Sequence, residues 1–345
     1  MFTVLQGNLF ESGAEALVNT VNCVGVMGKG VALQVKQSFP DVFRVYQQDC
    51  KKGLVQLGKV HIVARNALSS PQFVINFPTK DHWKGRSRYS DIEAGLVSLR
   101  QEIQALKIKS VAVPPLGCGL GGLDWEKVLP MIQKHLGNLQ GVNVLVYAPA
   151  GAPQATALKV GSLKPKMTPG RAAILLLMDI YKSLDYRLAM IEVQKLAYFL
   201  QTAGEPLKLT FTAGRYGPYA DALNHVLQKM EGHYITGTGD GSRGPEVEVN
   251  AIPEALAAAR SFLQDAPSTQ SRAERVAKLI EGFQTPFGME LLGTVHWVCH
   301  TQGAHSVAEA VSHVQSWNDR KRSLFSPRHI EVAYERLQTD EWLPV

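Results

Sequence analysis

Through the first 150 positions, short runs of β-branched and aromatic residues alternate with stretches whose apolar residues recur at helical spacing. The β-rich runs predict strands at Phe2–Leu5, Ala16–Val21, Val60–Ala64, Phe73–Asn76, Ser110–Val113 and Val142–Tyr147. A helix is expected over Val31–Ser38. Another is expected to open on the capping box Ser90-Asp91-Ile92-Glu93 and to continue through Leu96, Leu99, Ile103 and Leu106. A third should start at Asp124, a good N-cap, and run through Val128, Met131 and Ile132. Strands alternating with helices in this way predict an α/β unit, a mixed or mostly parallel sheet between helices. In such sheets ligands bind at the loops beyond the carboxyl ends of the strands.

The texture then changes. Residues 151–171 are rich in Pro, Gly and Lys and read as an exposed linker, with 156–171 separating a domain over 1–155 from one over 172–345. The second domain is expected to be mostly α-helical. Its helical patterns cover Ala172–Leu184, Ala189–Gln201, Tyr219–Met230, Pro253–Asp265, Ala273–Glu281, Gly288–His300, Val307–Trp317 and Pro327–Gln338, with extended pieces at Lys208–Phe211 and Glu246–Asn250.

Composition adds a charge asymmetry. The chain has 345 residues, 45% apolar and 19% charged, ordinary values for a water-soluble protein of two cores. Residues 1–155 carry 16 Lys and Arg against 10 Asp and Glu, whereas residues 156–345 carry 20 of each. All the net positive charge therefore belongs to the first domain. The first residues lack the basic and apolar pattern of a secretory signal, and no apolar run reaches membrane-spanning length. The four cysteines, Cys23, Cys50, Cys118 and Cys299, have no CxxC spacing. They fit reduced thiols and a cytoplasmic location better than a disulfide framework.

The candidate chemistry lies in two glycine-rich loops and one lysine. Gly25-Val-Met-Gly-Lys-Gly30 and Pro114-Pro-Leu-Gly-Cys-Gly-Leu-Gly-Gly122 each follow an expected strand. Glycine at this density lets backbone N–H groups approach an anion, and the first loop opens a helix whose N-terminus favours phosphate. Lys80, in Pro78-Thr-Lys80, lies between them in sequence and can act as a phosphate contact or as a nucleophile. Asn19 and Asn22 can cap tight turns or bind ribose hydroxyls. Cys118 has no neighbouring histidine to activate it and reads as a packed side chain. The run His82, Trp83, Lys84, Arg86, Arg88 can hold a nucleic-acid backbone and stack a base, or form a solvated loop.

Gln6-Gly-Asn8, Ala16-Leu-Val-Asn19-Thr-Val-Asn22, Gly25–Gly30 and Pro115-Leu-Gly-Cys-Gly119 occur in the order found in the macrodomain family, which the first 150 residues resemble. The resemblance implies a macrodomain fold and binding of ADP-ribose. It implies contacts from Gly7, Asn8 and Leu9 to adenine, and from Asn19, Thr20, Asn22, Gly28, Lys29, Gly30, Val31, Thr79, Pro115, Leu116, Gly117, Cys118, Gly119, Leu120, Gly121 and Tyr147 to the rest of the ligand. Asn76-Phe-Pro-Thr-Lys80-Asp-His-Trp83 further resembles the macrodomains with a catalytic lysine, the terminal ADP-ribose protein glycohydrolases and the bacterial DNA ADP-ribosyl glycohydrolases. In that group the lysine amine attacks C1″ of the distal ribose, so the resemblance makes Lys80 the catalytic residue. The attack needs a neutral amine, and free lysine has a pKa near 10.4. Burial and the cations Lys84, Arg86 and Arg88 are expected to lower it, and bound diphosphate to raise it. One departure stands out: eukaryotic members carry an Asp directly after Gly-Cys-Gly-Leu for proton transfer, where this chain has Gly121.

In the second domain, Gln194-Lys-Leu-Ala-Tyr-Phe-Leu200 and Gly214-Arg-Tyr-Gly-Pro-Tyr219 are similar to the helical antitoxin domains called Panacea. Tyr198 and Phe199 also read as core aromatics, and Tyr216-Gly-Pro-Tyr219 as a turn opening the next helix. His296, Cys299 and His300 have a possible metal spacing, but no fourth ligand is near in sequence and a buried helix face is the expectation; no metal or cofactor is implied. The combined resemblance implies an antitoxin hydrolase that removes ADP-ribose from thymidine in single-stranded DNA. Its expected partners are ADP-ribose, ADP-ribosylated single-stranded DNA and a DarT-type ADP-ribosyltransferase toxin, with no membrane. The alternatives are a reader of ADP-ribose, a hydrolase acting on modified protein carboxylates, and a DNA-binding regulator.

Overall fold

A computed structural model describes residues 1–65, 70–149, 160–182, 187–239 and 246–343. Its first unit, Met1–Leu163, contains one six-stranded sheet. The strands are β1 (Phe2–Leu5), β2 (Ala16–Asn22), β3 (His61–Ala64), β4 (Phe73–Lys80), β5 (Ser110–Val113) and β6 (Asn143–Tyr147), in the order β1-β6-β5-β2-β4-β3. All neighbours pair in parallel except the edge strand β3, which runs antiparallel to β4. This is the mixed, mostly parallel sheet that the sequence pattern predicts. Helices α1 (Gly30–Ser38), α2 (Pro40–Lys51), α3 (Tyr89–Ala105) and α4 (Trp125–Leu136) complete it. Two apolar clusters lie within the unit, one around Ile75, Phe77, Leu96 and Ile132, the other around Leu17, Val35, Tyr46 and Val74.

Several boundaries differ from the sequence expectation. β4 runs four residues further, to Lys80. The polar Thr-Lys and the proline of this segment argue against a strand, but β3 ends opposite Asn76. Pro78 therefore sits where one strand edge is free, and there a missing N–H is tolerated. The capping box at Ser90 does not form. α3 starts at Tyr89 with Arg88 as an N-cap whose side chain makes no capping bond. Glu93 is drawn instead to α4, where its carboxylate accepts from Lys134 at 2.6 Å and meets the His135 ring at 2.8 Å. Asp124 does cap α4, accepting from the Glu126 N–H at 3.1 Å. α2, which opens on Pro40, has no counterpart in the sequence reading.

The second unit holds Lys164–Thr238 and the helices that follow it. The described part of the expected linker divides between the units: Gly161 N–H bonds to Gln37 O at 2.8 Å, while Met167 packs on the second core. Residues 151–159, and Ser183 and Leu184 of the expected helix Ala172–Leu184, lie outside the described residues. The helices are α5 (Pro169–Lys182), α6 (Met190–Thr202), α7 (Asp221–Met230), α8 (Pro253–Gln264), α9 (Pro267–Ile280), α10 (Pro286–Gln302), α11 (Val307–Trp317), α12 (Asp319–Leu324) and α13 (Pro327–Thr339). α12 was not read from the sequence. Every residue of α6 from Ile191 to Leu200 is buried, which places this helix at the centre of the unit. Tyr219 belongs not to α7 but to a hairpin of β7 (Thr212–Gly214) and β8 (Gly217–Tyr219), where it pairs with Thr212. Lys208–Phe211 forms no strand, and the pair β9 (Ile235–Thr236) and β10 (Asn250–Ala251) takes only the end of the expected Glu246–Asn250 piece.

Packing of α3 on the sheet depends on Gly95. A Cβ there would lie 2.3 Å from Cζ of Phe77, a ring fully buried in the core. Gly95→Ala should gain about 1 kcal/mol of helix propensity and lose more, about 1–3 kcal/mol, to overpacking. The expected net result is a lower midpoint in urea denaturation.

Candidate functional site

The carboxyl ends of the parallel strands share one edge of the sheet, and every candidate ligand residue follows from this. β1 delivers Gly7, Asn8 and Leu9, β2 the loop from Cys23 to Lys29, β4 the loop from Asp81 to Arg88, and β5 the loop from Pro114 to Asp124. β2 lies between β4 and β5. The chain leaves β4 through α3 and returns on the far side of β2, so the loops after these strands part and leave a crevice. Tyr147 ends β6 opposite Leu5 in β1 and is thereby brought near the Gly7-Asn8 turn.

The β2–β4 register sets the lysine. Val21 pairs with Pro78, but Asn22 pairs with Lys80, so Thr79 is the extra residue of a bulge. The Thr79 hydroxyl turns inward and donates to Val21 O at 3.4 Å. The Lys80 amine reaches the two neighbouring loops, donating to Leu120 O at 2.9 Å and Gly85 O at 3.3 Å. Burial lowers the Lys80 pKa. The cations Lys84, Arg86 and Arg88, expected from sequence to contribute, are not a cause of this shift. Both partners are neutral carbonyls, and no carboxylate pairs with the amine among the described residues, so no ion pair offsets burial.

Most of the asparagines build the loops. The Asn22 side chain accepts from the N–H groups of Val24 (3.0 Å) and Val26 (3.3 Å) and donates to Val26 O at 2.6 Å. The Tyr46 hydroxyl, from α2, donates to Asn22 O at 2.6 Å. The Asn22 side chain is thus engaged in shaping the first glycine loop. The Asn8 side-chain oxygen accepts from Phe10 N–H at 3.0 Å and caps a short 3-10 turn over Leu9–Glu11. Asn19, fully buried, donates to Asn76 at 2.8 Å; Asn76 contacts His61 at 3.1 Å, and His61 contacts Asp49 at 3.0 Å. This polar chain braces β2, β4, β3 and α2 beneath the site. Thr20 stands between these asparagines on β2, half-buried.

The features suited to an anion are backbone features. Lys29 is the exposed N-cap of α1 and makes no side-chain capping bond, and the first turn holds no acidic residue. The N–H groups of Gly30, Val31 and Ala32 therefore carry the positive end of the helix dipole toward the loop. Gly28 and Gly30 flank Lys29, and Gly30 takes the left-handed φ of +62° that suits glycine. In the second loop, Gly117 bonds through its carbonyl to Leu123 N–H at 3.0 Å, and Gly119 likewise to Gly122 N–H at 3.0 Å. Leu116 is fully buried beneath this loop, and Pro115 accepts from Cys118 N–H at 3.2 Å. Burial pushes the Cys118 thiol up to about 11, so it is no nucleophile. Gly121 has no room for a side chain: a Cβ would lie 2.3 Å from Gly117 O and 2.3 Å from the Ser87 hydroxyl. Asp124, engaged in capping α4, does not supply the missing carboxylate.

The basic run forms the outer wall beside Lys80. His82, Trp83, Lys84, Arg86 and Arg88 are all exposed. The His82 and Trp83 rings lie 5.2 Å apart, Lys84 Nζ sits 4.9 Å from the Trp83 ring centre, and Trp83 keeps half its surface free. Leu120, Val24 and Val26 are exposed apolar residues of the two glycine loops.

In the second unit the two sequence motifs meet. Gln194 bonds both the N–H and the carbonyl of Ala220, at 2.9 and 3.1 Å, and the buried Lys195 donates to Pro218 O at 2.9 Å. The motif on α6 therefore clamps the β7–β8 hairpin that carries the other motif. Lys195 packs against Gly217 and Gly293. Burial, with Lys321 nearby, pulls its pKa down to about 7. Tyr198 is a core residue whose hydroxyl lies 2.7 Å from Nδ1 of His296; Phe199 packs edge-on against both rings. His296 is fully buried and its pKa falls to about 3. No group of His, Cys, Asp or Glu side chains placed for a metal occurs among the described residues, and no described helix is long and apolar enough to cross a membrane.

Comparison with known proteins agrees with this architecture. The family model "Macro domain" matches residues 18–132. A DNA ADP-ribosyl glycohydrolase of Thermus aquaticus is 46% identical over 99% of this chain and 96% of its own length. A protein of the same description from Mycobacterium tuberculosis is 42% identical over 98% of this chain and 99% of its own. A DNA ADP-ribosyl transferase–DNA ADP-ribosyl glycohydrolase fusion protein of Thermosipho africanus is 39% identical over 43% of this chain and 42% of its own length.

The buried lysine of the second unit has a measurable consequence. Between pH 7 and 10 the folded chain holds Lys195 neutral while the unfolded chain keeps it protonated. Unfolding then takes up a proton, so Lys195 makes stability rise with pH, by up to about 1.4 kcal/mol per pH unit. In urea denaturation, the stability of Lys195→Met relative to the parent should be greatest near pH 7 and shrink steadily toward pH 10.

Proposed function

The chain belongs to the family of DNA ADP-ribosyl glycohydrolases, and from that premise we propose that its macrodomain removes ADP-ribose from thymidine in single-stranded DNA, with Lys80 as nucleophile. The observation that carries this reading is the state of Lys80. Its amine is half-buried at the end of β4, lowered in pKa by burial, and held by two carbonyl oxygens with no carboxylate to stabilise the ammonium. A lysine meant only to neutralise diphosphate gains nothing from this setting, whereas a nucleophile gains its free electron pair.

The uncapped N-terminus of α1 and the glycine loop from Gly117 to Gly121 bind the diphosphate and distal ribose between them. Asn22 and Asn8 act mainly by holding their loops in shape. The neutral Lys80 amine forms a bond to C1″ as the bond from C1″ to thymine breaks, and the base takes up the proton that the amine releases. Opening of the ribose ring converts the adduct to an imine. Addition of water returns the free amine and ADP-ribose. The exposed Trp83 stacks a base beside the modified nucleotide, while Lys84, Arg86 and Arg88 follow the phosphates.

The second unit binds a DarT-type toxin in this reading. The Thermosipho relative, a transferase–glycohydrolase fusion by description, supports it by carrying both activities on one chain. Residues 201–345 bear 13 Lys and Arg against 17 Asp and Glu, a balance suited to a basic DNA-modifying partner.

Lys80→Ala should bind ADP-ribose yet release none from an ADP-ribosylated single-stranded oligonucleotide, while the parent chain clears it. The parent's rate should rise with pH as the amine, whose pKa burial lowers, deprotonates. If both proteins bind ADP-ribose and leave the oligonucleotide modified, the chain is a reader; faster release from a modified protein carboxylate makes it a protein hydrolase. Trp83→Ala should raise KM for the oligonucleotide about tenfold or more and leave affinity for free ADP-ribose unchanged.

A further inference from the structure

Ser87 belongs to none of the sequence motifs, yet it lies where the two loops around Lys80 meet. Its backbone N–H bonds to Gly121 O at 3.1 Å. Its side chain rests against the second glycine loop: the Cβ position of Gly117 is 3.2 Å from the hydroxyl, and that of Gly121 is 2.3 Å from it. The residues on either side of this junction, Gly85 and Leu120, supply the two carbonyls that hold the Lys80 amine. Ser87 is only 7% exposed, and its hydroxyl has no hydrogen-bond partner among the described residues.

A buried hydroxyl without a partner is destabilising, because it has lost its water and gained nothing in exchange. An alanine would avoid that cost, so the serine calls for a partner that arrives from outside the chain. The location says which. The hydroxyl lies in the space into which a side chain at position 121 would project, where the Gly117 carbonyl already leaves no room for one. In this chain the polar group at that place is the serine. We propose that the Ser87 hydroxyl hydrogen-bonds an oxygen of the distal ribose of bound ADP-ribose and so sets the sugar against Lys80. It is a positioning residue: it orients the sugar and takes no covalent part. The inference rests on the reading of the crevice as an ADP-ribose site.

The test uses the full chain, with Ser87→Ala and Ser87→Thr compared by calorimetric titration with ADP-ribose, by kcat and KM on an ADP-ribosylated oligonucleotide, and by melting temperature. Loss of one ligand hydrogen bond predicts that Ser87→Ala binds ADP-ribose about five- to tenfold more weakly. Its melting temperature should match or exceed that of the parent, because an unpaired buried hydroxyl has gone. Ser87→Thr, which keeps the hydroxyl, should bind within about twofold of the parent. Parental affinity in Ser87→Ala overturns the proposal. So does weaker binding that comes with a lower melting temperature and is not restored by threonine, since that marks a purely structural serine. A parent chain that binds no ADP-ribose overturns this proposal together with the function on which it rests; parental binding with an indifferent Ser87→Ala overturns this proposal alone.

Discussion

The pairing of β2 with β4 governs the chemistry of this protein. Over Ala16–Val21 the two strands run in regular parallel register with Phe73–Pro78, and their apolar side chains enter the two cores on either side of the sheet. At Thr79 the register slips by one residue, and Lys80 comes opposite Asn22. Without the slip, strand alternation would send Lys80 to the other face of the sheet. With it, the amine reaches across to the carbonyls of both neighbouring loops. A single bulge thus converts a buried strand into the wall of a site.

The loops around that bulge are held from below. Tyr46 reaches from α2 to the end of β2, Asn22 folds the first glycine loop around its own side chain, and the chain from Asn19 through Asn76 and His61 to Asp49 spans the sheet edge. These groups are buried or half-buried and nearly all paired. Such networks rigidify the backbone, because each bond lost inside a low-dielectric interior costs more than it would in water. The glycines can then face the crevice with bare N–H groups. Rigid support and a bare backbone surface are complementary requirements of an anion site.

The second unit applies the same physics to a different end. α6 runs through its centre and carries Gln194 and Lys195, which hold the β7–β8 hairpin by its backbone. The buried ammonium of Lys321, paired with Glu290 at 2.9 Å and Thr294 at 2.9 Å, lies near the neutralised Lys195. These polar groups sit where a purely apolar core would pack as well. Their use is to fix one hairpin position, since each bond specifies a particular carbonyl.

The alternation of strands with helices, the two glycine loops, the lysine and the helical second half were all legible in the chain, because each is written in local periodicity or in a short run of residues. Asp124 was read as a cap and is one, since capping needs only neighbours in sequence. What failed was decided by residues far away. The β4 strand outlasts its pattern because β2 stays paired with it as far as Lys80; the capping box at Ser90 is absent, and Glu93 finds partners forty residues on. Ser87 carried no local signal at all, and its place against Gly121 exists only once β4 and β5 are brought to either side of β2. Sequence determines what each segment can form by itself. Which polar atoms meet, and which are left over for a ligand, is settled by long-range pairing that no local window contains.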